Sequence, residues 1–212
     1  LFNVSKLEEI KKNKVIAVIR AETPDKALEF GEGCIKGGLK LIEVTFSFPG
    51  AQTVIAELSK IEGVLVGAGT VLDAVMAVKA LESGASFLVS PHTDQDIIDV
   101  AMPKRVPPIQ GALTSSEIVN AWKLGVDMVK VFPVSAVGGP PYIKAIKEAI
   151  PFAEIMTTGG VNYDNFLDYI KAGASAVGLS SAFLTEDKMI KFDTVMQNTK
   201  LIVERLSTLK EG

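Results

Sequence analysis

Gly125-Val126-Asp127-Met128-Val129-Lys130-Val131-Phe132-Pro133 reads as a helix ending in glycine, a short turn, and a strand that is apolar on both faces apart from one lysine. Such a strand belongs in a parallel sheet covered on both sides, because only there do alternate positions all meet apolar neighbours. The Lys130 ammonium then has little water, its charged form is disfavoured, and a fraction of the amine is neutral and nucleophilic. A desolvated lysine of this kind attacks carbonyls to form a Schiff base, provided that a neighbour moves the protons.

The same helix-glycine-strand junction recurs in Gly38-Leu39-Lys40-Leu41, Gly84-Ala85-Ser86-Phe87 and Gly173-Ala174-Ser175-Ala176, at spacings of 46, 41 and 48 residues across the four copies. Each interval holds two apolar runs: the full set is Val15–Ile19, Leu41–Val44, Val64–Ala68, Phe87–Val89, Pro108–Ile109, Met128–Phe132, Ile155–Thr157 and Ala176–Leu179. Between them lie helical spacings such as Ala27/Phe30/Cys34 and Ile118/Ala121/Trp122. Thr23-Pro24 and the Thr114/Glu117 capping box are helix starts, and Asn162 reads as a third cap. Four double units closing on themselves predict an α/β fold, a TIM (β/α)8 barrel, over residues 1–212 as a single domain. A short N-terminal helix over 1–13 leads it, and a helix over 187–208 closes it with Phe192, Val195, Met196, Thr199, Val203 and Leu206 inward. The rival, an open doubly wound sheet, lacks a glycine-rich dinucleotide fingerprint after the first strand.

The chain has 212 residues, 48% hydrophobic, with 22 basic and 25 acidic residues and a formal charge of -3. That balance supplies no basic stripe for nucleic acid, and no apolar run is long enough to span a bilayer. Without a signal-peptide pattern, and with Cys34 alone and so unable to form an intramolecular disulfide, the expected compartment is the cytoplasm. One histidine and one cysteine make a zinc site improbable, so no metal is expected. Cys34, Trp122 and the phenylalanines read as packing, and His92 as a residue of the barrel mouth or its surface.

Three charges fall in or at the end of strands that should have none: Arg20, Glu43 and Lys130. Alternation puts Glu43 on the face of Leu41 and Thr45, and Lys130 on that of Met128 and Phe132. If both faces are luminal, the two meet; Arg20 closes the first strand at the end where barrels of this kind carry their active sites. A buried structural ion pair is the plainer reading of Glu43 and Lys130, and a solvated strand end that of Arg20. Together they make an amine nucleophile, a proton-shuttling carboxyl group and a guanidinium suited to a carboxylate. After the seventh strand, Thr158-Gly159-Gly160 followed by a helix start, with Ser181 after the eighth, forms a candidate phosphate cradle; Gly-Gly as a tight turn is its plainer reading.

These residues, taken in order, resemble the class I 2-keto-3-deoxy-6-phosphogluconate aldolases, also called 4-hydroxy-2-oxoglutarate aldolases. The resemblance runs from about Val15 to Leu184 and rests on Val15-Ile-Ala-Val-Ile-Arg20, Ile42-Glu-Val-Thr45, Gly67-Ala-Gly-Thr-Val71, Val89-Ser-Pro-His92, Val129-Lys-Val-Phe-Pro133 and Thr158-Gly-Gly-Val161. It implies Lys130 as the Schiff-base residue, Glu43 as the acid/base, and Arg20 with Thr70 on the pyruvate carboxylate. It also implies Pro91 and Thr158 along the substrate and Gly159, Gly160 and Ser181 on phosphate. No cofactor beyond the imine on Lys130, a 2-keto acid substrate, release of pyruvate and a homotrimer follow from it. The chain departs from the pattern at Ser47, where some members have a basic residue, and in its strand-five loop at Gln110-Gly111 and Thr114-Ser115. Thr158 favours the gluconate-derived substrate over the galactonate epimer, whose aldolases tend to have valine there. The remaining alternatives are a phosphosugar isomerase or epimerase working without a covalent imine, and a catalytically silent sugar-acid-binding barrel.

Overall fold

The structure, a computed structural model, describes residues 2–210. Eight parallel strands close a barrel in sequence order: β1 (Val15–Ile19), β2 (Leu41–Thr45), β3 (Leu65–Gly69), β4 (Leu88–Val89), β5 (Pro108–Ala112), β6 (Met128–Val131), β7 (Ile155–Thr157) and β8 (Ala176–Leu179). Helices α2 (Pro24–Lys36), α3 (Ala51–Leu58), α4 (Ala74–Glu82), α5 (Gln95–Ala101), α6 (Ser115–Lys123), α7 (Pro140–Ala149), α8 (Phe166–Lys171) and α9 (Phe192–Ser207) follow the strands one by one, and α1 (Phe2–Asn13) precedes them. Closure excludes the open sheet: β8 pairs with β1 through Val15↔Val177 and Ala17↔Leu179. No described helix is long and apolar enough to cross a membrane.

The recurring glycine junction has one physical form in all four places. Gly38, Gly84, Gly125 and Gly173 have φ between 87° and 106°, the left-handed region where a Cβ is costly. The next amide in each case reaches back to close the helix end, as in Leu39 N–H to Cys34 O at 3.1 Å and Ala174 N–H to Tyr169 O at 3.0 Å. Helix starts are equally local. The Thr23 hydroxyl accepts from Lys26 N–H with Pro24 in the first turn, and the Thr114/Glu117 capping box is complete. Asn162 differs from its sequence reading: its side chain accepts from the amides of Asp164 and Asn165, closing a turn, and α8 starts only at Phe166. The closing helix is shorter than expected, and Ile202 joins Val195 and Thr199 on its buried face.

Two apolar layers result. Between barrel and helices pack Ile19, Ile42, Val44, Val129 and Val131 with helix residues such as Phe30, Ile55 and Phe183. Inside the barrel lie Ile16, Leu41, Phe87, Ile109, Met128 and Met156, with Ile10 of α1 closing the floor. Alternation thus puts Leu41 and Met128 in the lumen, which fixes Glu43 and Lys130 there as well. The interior is full: a Cβ on Gly67 would lie 2.5 Å from Cζ of Phe87. Gly67→Ala should therefore cost about 1–3 kcal/mol through overpacking, read as a lower urea midpoint at unchanged slope. An unaltered midpoint would mean that the ring yields without strain.

Candidate active site

In a closed ring of eight strands β2 and β6 lie opposite one another, so Glu43 and Lys130 face each other across the lumen. Glu43 is 0% exposed and Lys130 5%. Neither carboxyl oxygen of Glu43 has a hydrogen-bond partner. Burial pushes the Glu43 carboxyl above its usual range, and the charges of Lys130 and Arg20 pull it part of the way back. A structural ion pair would be stitched by direct hydrogen bonds. Here the Lys130 ammonium instead stands 5.2 Å from the centroid of the Phe132 ring, and no hydrogen bond ties it to Glu43.

Arg20 follows β1, is exposed, and donates from Nη2 to Thr70 Oγ1 at 3.5 Å. Thr70 itself has φ 55°, a left-handed conformation that costs a β-branched residue on the order of 1–3 kcal/mol and collects at functional sites. The Thr45 hydroxyl donates to Ile19 O at 2.9 Å and lies 2.6 Å from Ser47 Oγ. Ser47, where a basic residue stands in some resembling sequences, is thus engaged at the strand end from which Arg20 projects.

Arg20, Lys130, Phe132, Thr158, Gly159, Gly160 and Ser181 line one cavity of about 170 Å³ at the C-terminal end of the barrel. Gly159 and Gly160 have φ of 83° and 90°, and a Cβ on Gly160 would stand 2.6 Å from Ser135 Oγ, so both positions demand glycine. Since α8 starts six residues after Gly160, the helix-start part of the expected cradle is absent; the loop and the turn at Ser181–Phe183 remain. Thr158 is 6% exposed, and its buried hydroxyl has no partner within the protein. Val161, Ser180, Val18 and Gly178 complete the wall, and the last two are not singled out by the sequence reading. A glycine inside β8 was the available signal, because it marks close approach: its Cβ would lie 2.6 Å from Thr158 Cγ2.

Pro91 lies in a neighbouring cavity of about 380 Å³, with His92 and Asn120, separated from the first by the Phe132 ring that lines both. His92 is exposed, with Nδ1 3.1 Å from Ser90 Oγ and Nε2 3.7 Å from Asp94. Cys34 is core, as expected; burial pushes its thiol up to about 12, which makes it inert. Trp122 is a correction: it is 49% exposed and stacks on Phe152 at 4.5 Å, itself 52% exposed. Among the described residues no group of three or more His, Cys, Asp or Glu side chains is placed to hold a metal ion.

The sequence model of the family described as KDPG and KHG aldolase matches residues 7–201. A 2-dehydro-3-deoxy-phosphogluconate aldolase of Haemophilus influenzae is 30% identical over 205 residues, 96% of either chain. A 2-dehydro-3-deoxy-6-phosphogalactonate aldolase of Escherichia coli is 32% identical over 170 residues, 79% of this chain and 82% of that one. Among solved structures, the KDPG aldolase of Legionella pneumophila with pyruvate captured as a covalent carbinolamine intermediate superposes with a TM-score of 0.76 at 30% identity, covering 90% of this chain and 91% of that one.

A carboxyl group whose protonation is favoured by folding stabilises the fold below its unfolded value, near 4.5, and that contribution is lost as pH rises through the raised folded value. Glu43→Gln should therefore be more stable than the parent at neutral pH, with the advantage vanishing at about pH 4. Urea unfolding of both proteins across that range checks this; a difference that did not vary with pH would contradict the burial argument.

Proposed function

The chain belongs to the KDPG and KHG aldolase family, and on that premise we propose that it is a carbon–carbon lyase acting through a Schiff base on Lys130. Its substrate in this reading is 2-keto-3-deoxy-6-phosphogluconate, cleaved reversibly to pyruvate and glyceraldehyde 3-phosphate, with 4-hydroxy-2-oxoglutarate, cleaved to pyruvate and glyoxylate, as a second substrate. The observation that carries it is the pairing, across one enclosed lumen, of a nearly buried amine with a fully buried carboxyl group that no protein atom engages.

The neutral Lys130 amine adds to the 2-keto carbon to give a carbinolamine. Glu43, whose protonated form burial favours, gives a proton to the departing hydroxyl, and water leaves as the iminium forms. The iminium is the electron sink: Glu43, now a carboxylate, takes the C4 hydroxyl proton through an intervening water, the C3–C4 bond breaks, and its electron pair forms the enamine. The aldehyde half departs, C3 is protonated, and hydrolysis returns pyruvate and the free lysine. Arg20 and Thr70 hold the carboxylate so that the keto carbon stays in line with the amine. Thr158 faces the sugar chain, Gly159, Gly160 and Ser181 take the phosphate, and Pro91 borders the substrate from the far side of Phe132. The unpartnered Thr158 hydroxyl supports the gluconate-derived substrate over its galactonate epimer. A homotrimer, a single domain over 1–212 and a cytoplasmic setting belong to the same proposal, the last supported by a lone, buried cysteine.

Borohydride with pyruvate should add a three-carbon adduct to Lys130, found by peptide mass spectrometry, and Lys130→Ala should abolish both adduct and turnover. An active enzyme that stays unlabelled would overturn the imine and favour an isomerase-like, non-covalent barrel. Arg20→Ala should raise KM for the keto acid more than it lowers kcat, by a factor of about ten to a hundred, the loss of one charge-assisted pair of hydrogen bonds. Turnover should survive a strong chelator, and light scattering should give three times the 22.6 kDa of one chain.

A further inference from the structure

Nothing polar fixes the Glu43 carboxyl group, since neither oxygen accepts a hydrogen bond from the protein. Its position therefore has to come from packing. Across the β2–β3 ladder Glu43 is level with Gly67, but its side chain does not rest there. The residue it touches is Gly69, two positions nearer the mouth, where the three nearest atoms to a built Cβ are all atoms of Glu43, Cγ and Cδ at 2.6 Å among them. Glu43 leans along its strand, as long side chains in strands do, and lays its carboxyl group over a backbone with no side chain.

What a side chain at 69 would meet first is Glu43. It does not occupy the left-handed region that the junction glycines require. No backbone atom and no third residue is among the three atoms closest to the missing Cβ. Gly67 contrasts with it, because the space it leaves is filled by the Phe87 ring and belongs to the apolar core. We propose that Gly69 is a positioning residue for the reaction: the notch it leaves in β3 sets how far towards the mouth the Glu43 carboxyl group reaches, placing it beside Thr70 and opposite Lys130. Rotation of the carboxylate alone cannot clear a side chain at 69, because Cγ itself is in the way, so the whole of Glu43 would have to change rotamer in a filled lumen. This inference rests on the aldolase reading above for its catalytic consequence, though not for its steric one.

The test is a double-mutant cycle in the full chain. Gly69→Ala should lower kcat by roughly a hundredfold, the scale expected for an ångström of misplacement. KM for the keto acid should stay within about threefold, and the limb of the pH profile that reports the carboxyl group should move to lower pH as the group is pushed towards water. In a Glu43→Ala background the same change should alter the residual kcat by less than about twofold. Equal losses in both backgrounds, or a hundredfold loss with an unmoved pH profile, overturn the proposal. If Gly69→Ala does not fold, Gly69→Ala with Glu43→Ala, which removes the clashing Cγ, should recover the melting transition of the Glu43→Ala protein; continued failure to fold overturns it too. Should the parent enzyme escape labelling by pyruvate and borohydride, the aldolase reading fails, and the notch is then judged by unfolding alone: Gly69→Ala must destabilise the parent and not the Glu43→Ala protein.

Discussion

One constraint governs the upper half of this barrel: a carboxyl group lies closed off from bulk solvent with no hydrogen-bond donor from the protein. Leaving such a group charged without partners is expensive, and proteins answer by shifting its protonation or by placing cations within reach. Both answers operate at Glu43, whose proton affinity rises with burial and is moderated by Lys130 and Arg20. The balance leaves a carboxyl group that holds its proton more readily than a free glutamate, which suits acid/base work on an imine. The same enclosure that makes a charged Glu43 costly sets the carboxyl group across the lumen from the Lys130 amine.

The lower half of the barrel makes that enclosure possible. Ile10 of α1 sits beneath Ile16, Leu41, Phe87 and Met128, sealing the floor with apolar volume. The plug is tied down at its rim: Lys11 pairs with Glu154 at 2.7 Å, and the Ser175 hydroxyl donates to the same carboxylate. Access is therefore confined to the C-terminal mouth, where Arg20, Thr158, the Gly159-Gly160 loop and Ser181 surround a cavity of about 170 Å³. Glycine supplies the remaining room. Positions 67, 69 and 178 lack side chains where Phe87, Glu43 and Thr158 come close. The notches seat the side chains that line the lumen, so this interior is shaped by omitting side chains as well as by placing them.

Most of the fold was legible because its signals are local. A left-handed glycine after a helix, a capping box and an apolar run each depend on a few neighbouring residues, and the barrel repeats them. The misreadings share a different origin. Trp122 fits the helical spacing of Ile118 and Ala121, yet its place on α6 turns it outward against Phe152, a partner 30 residues away. Asn162 is a good cap by type, but its side chain satisfies amides of the preceding turn before α8 begins. Thr70 in a left-handed conformation follows no propensity; the surrounding loops impose it.

The sequence by itself determined that strands and helices alternate eight times, that the strands are buried on both faces, and that Glu43, Lys130 and Arg20 are charges inside or at the edge of that burial, because periodicity and composition act over short stretches of chain. Only the tertiary structure decided that β2 and β6 stand opposite each other, that the Glu43 oxygens have no partner, and that Gly69 rather than its ladder neighbour Gly67 lies under the carboxyl group. Those facts depend on barrel closure and on how side chains from separate strands share one filled interior, and volume shared between strands leaves no trace in the order of residues along any one of them.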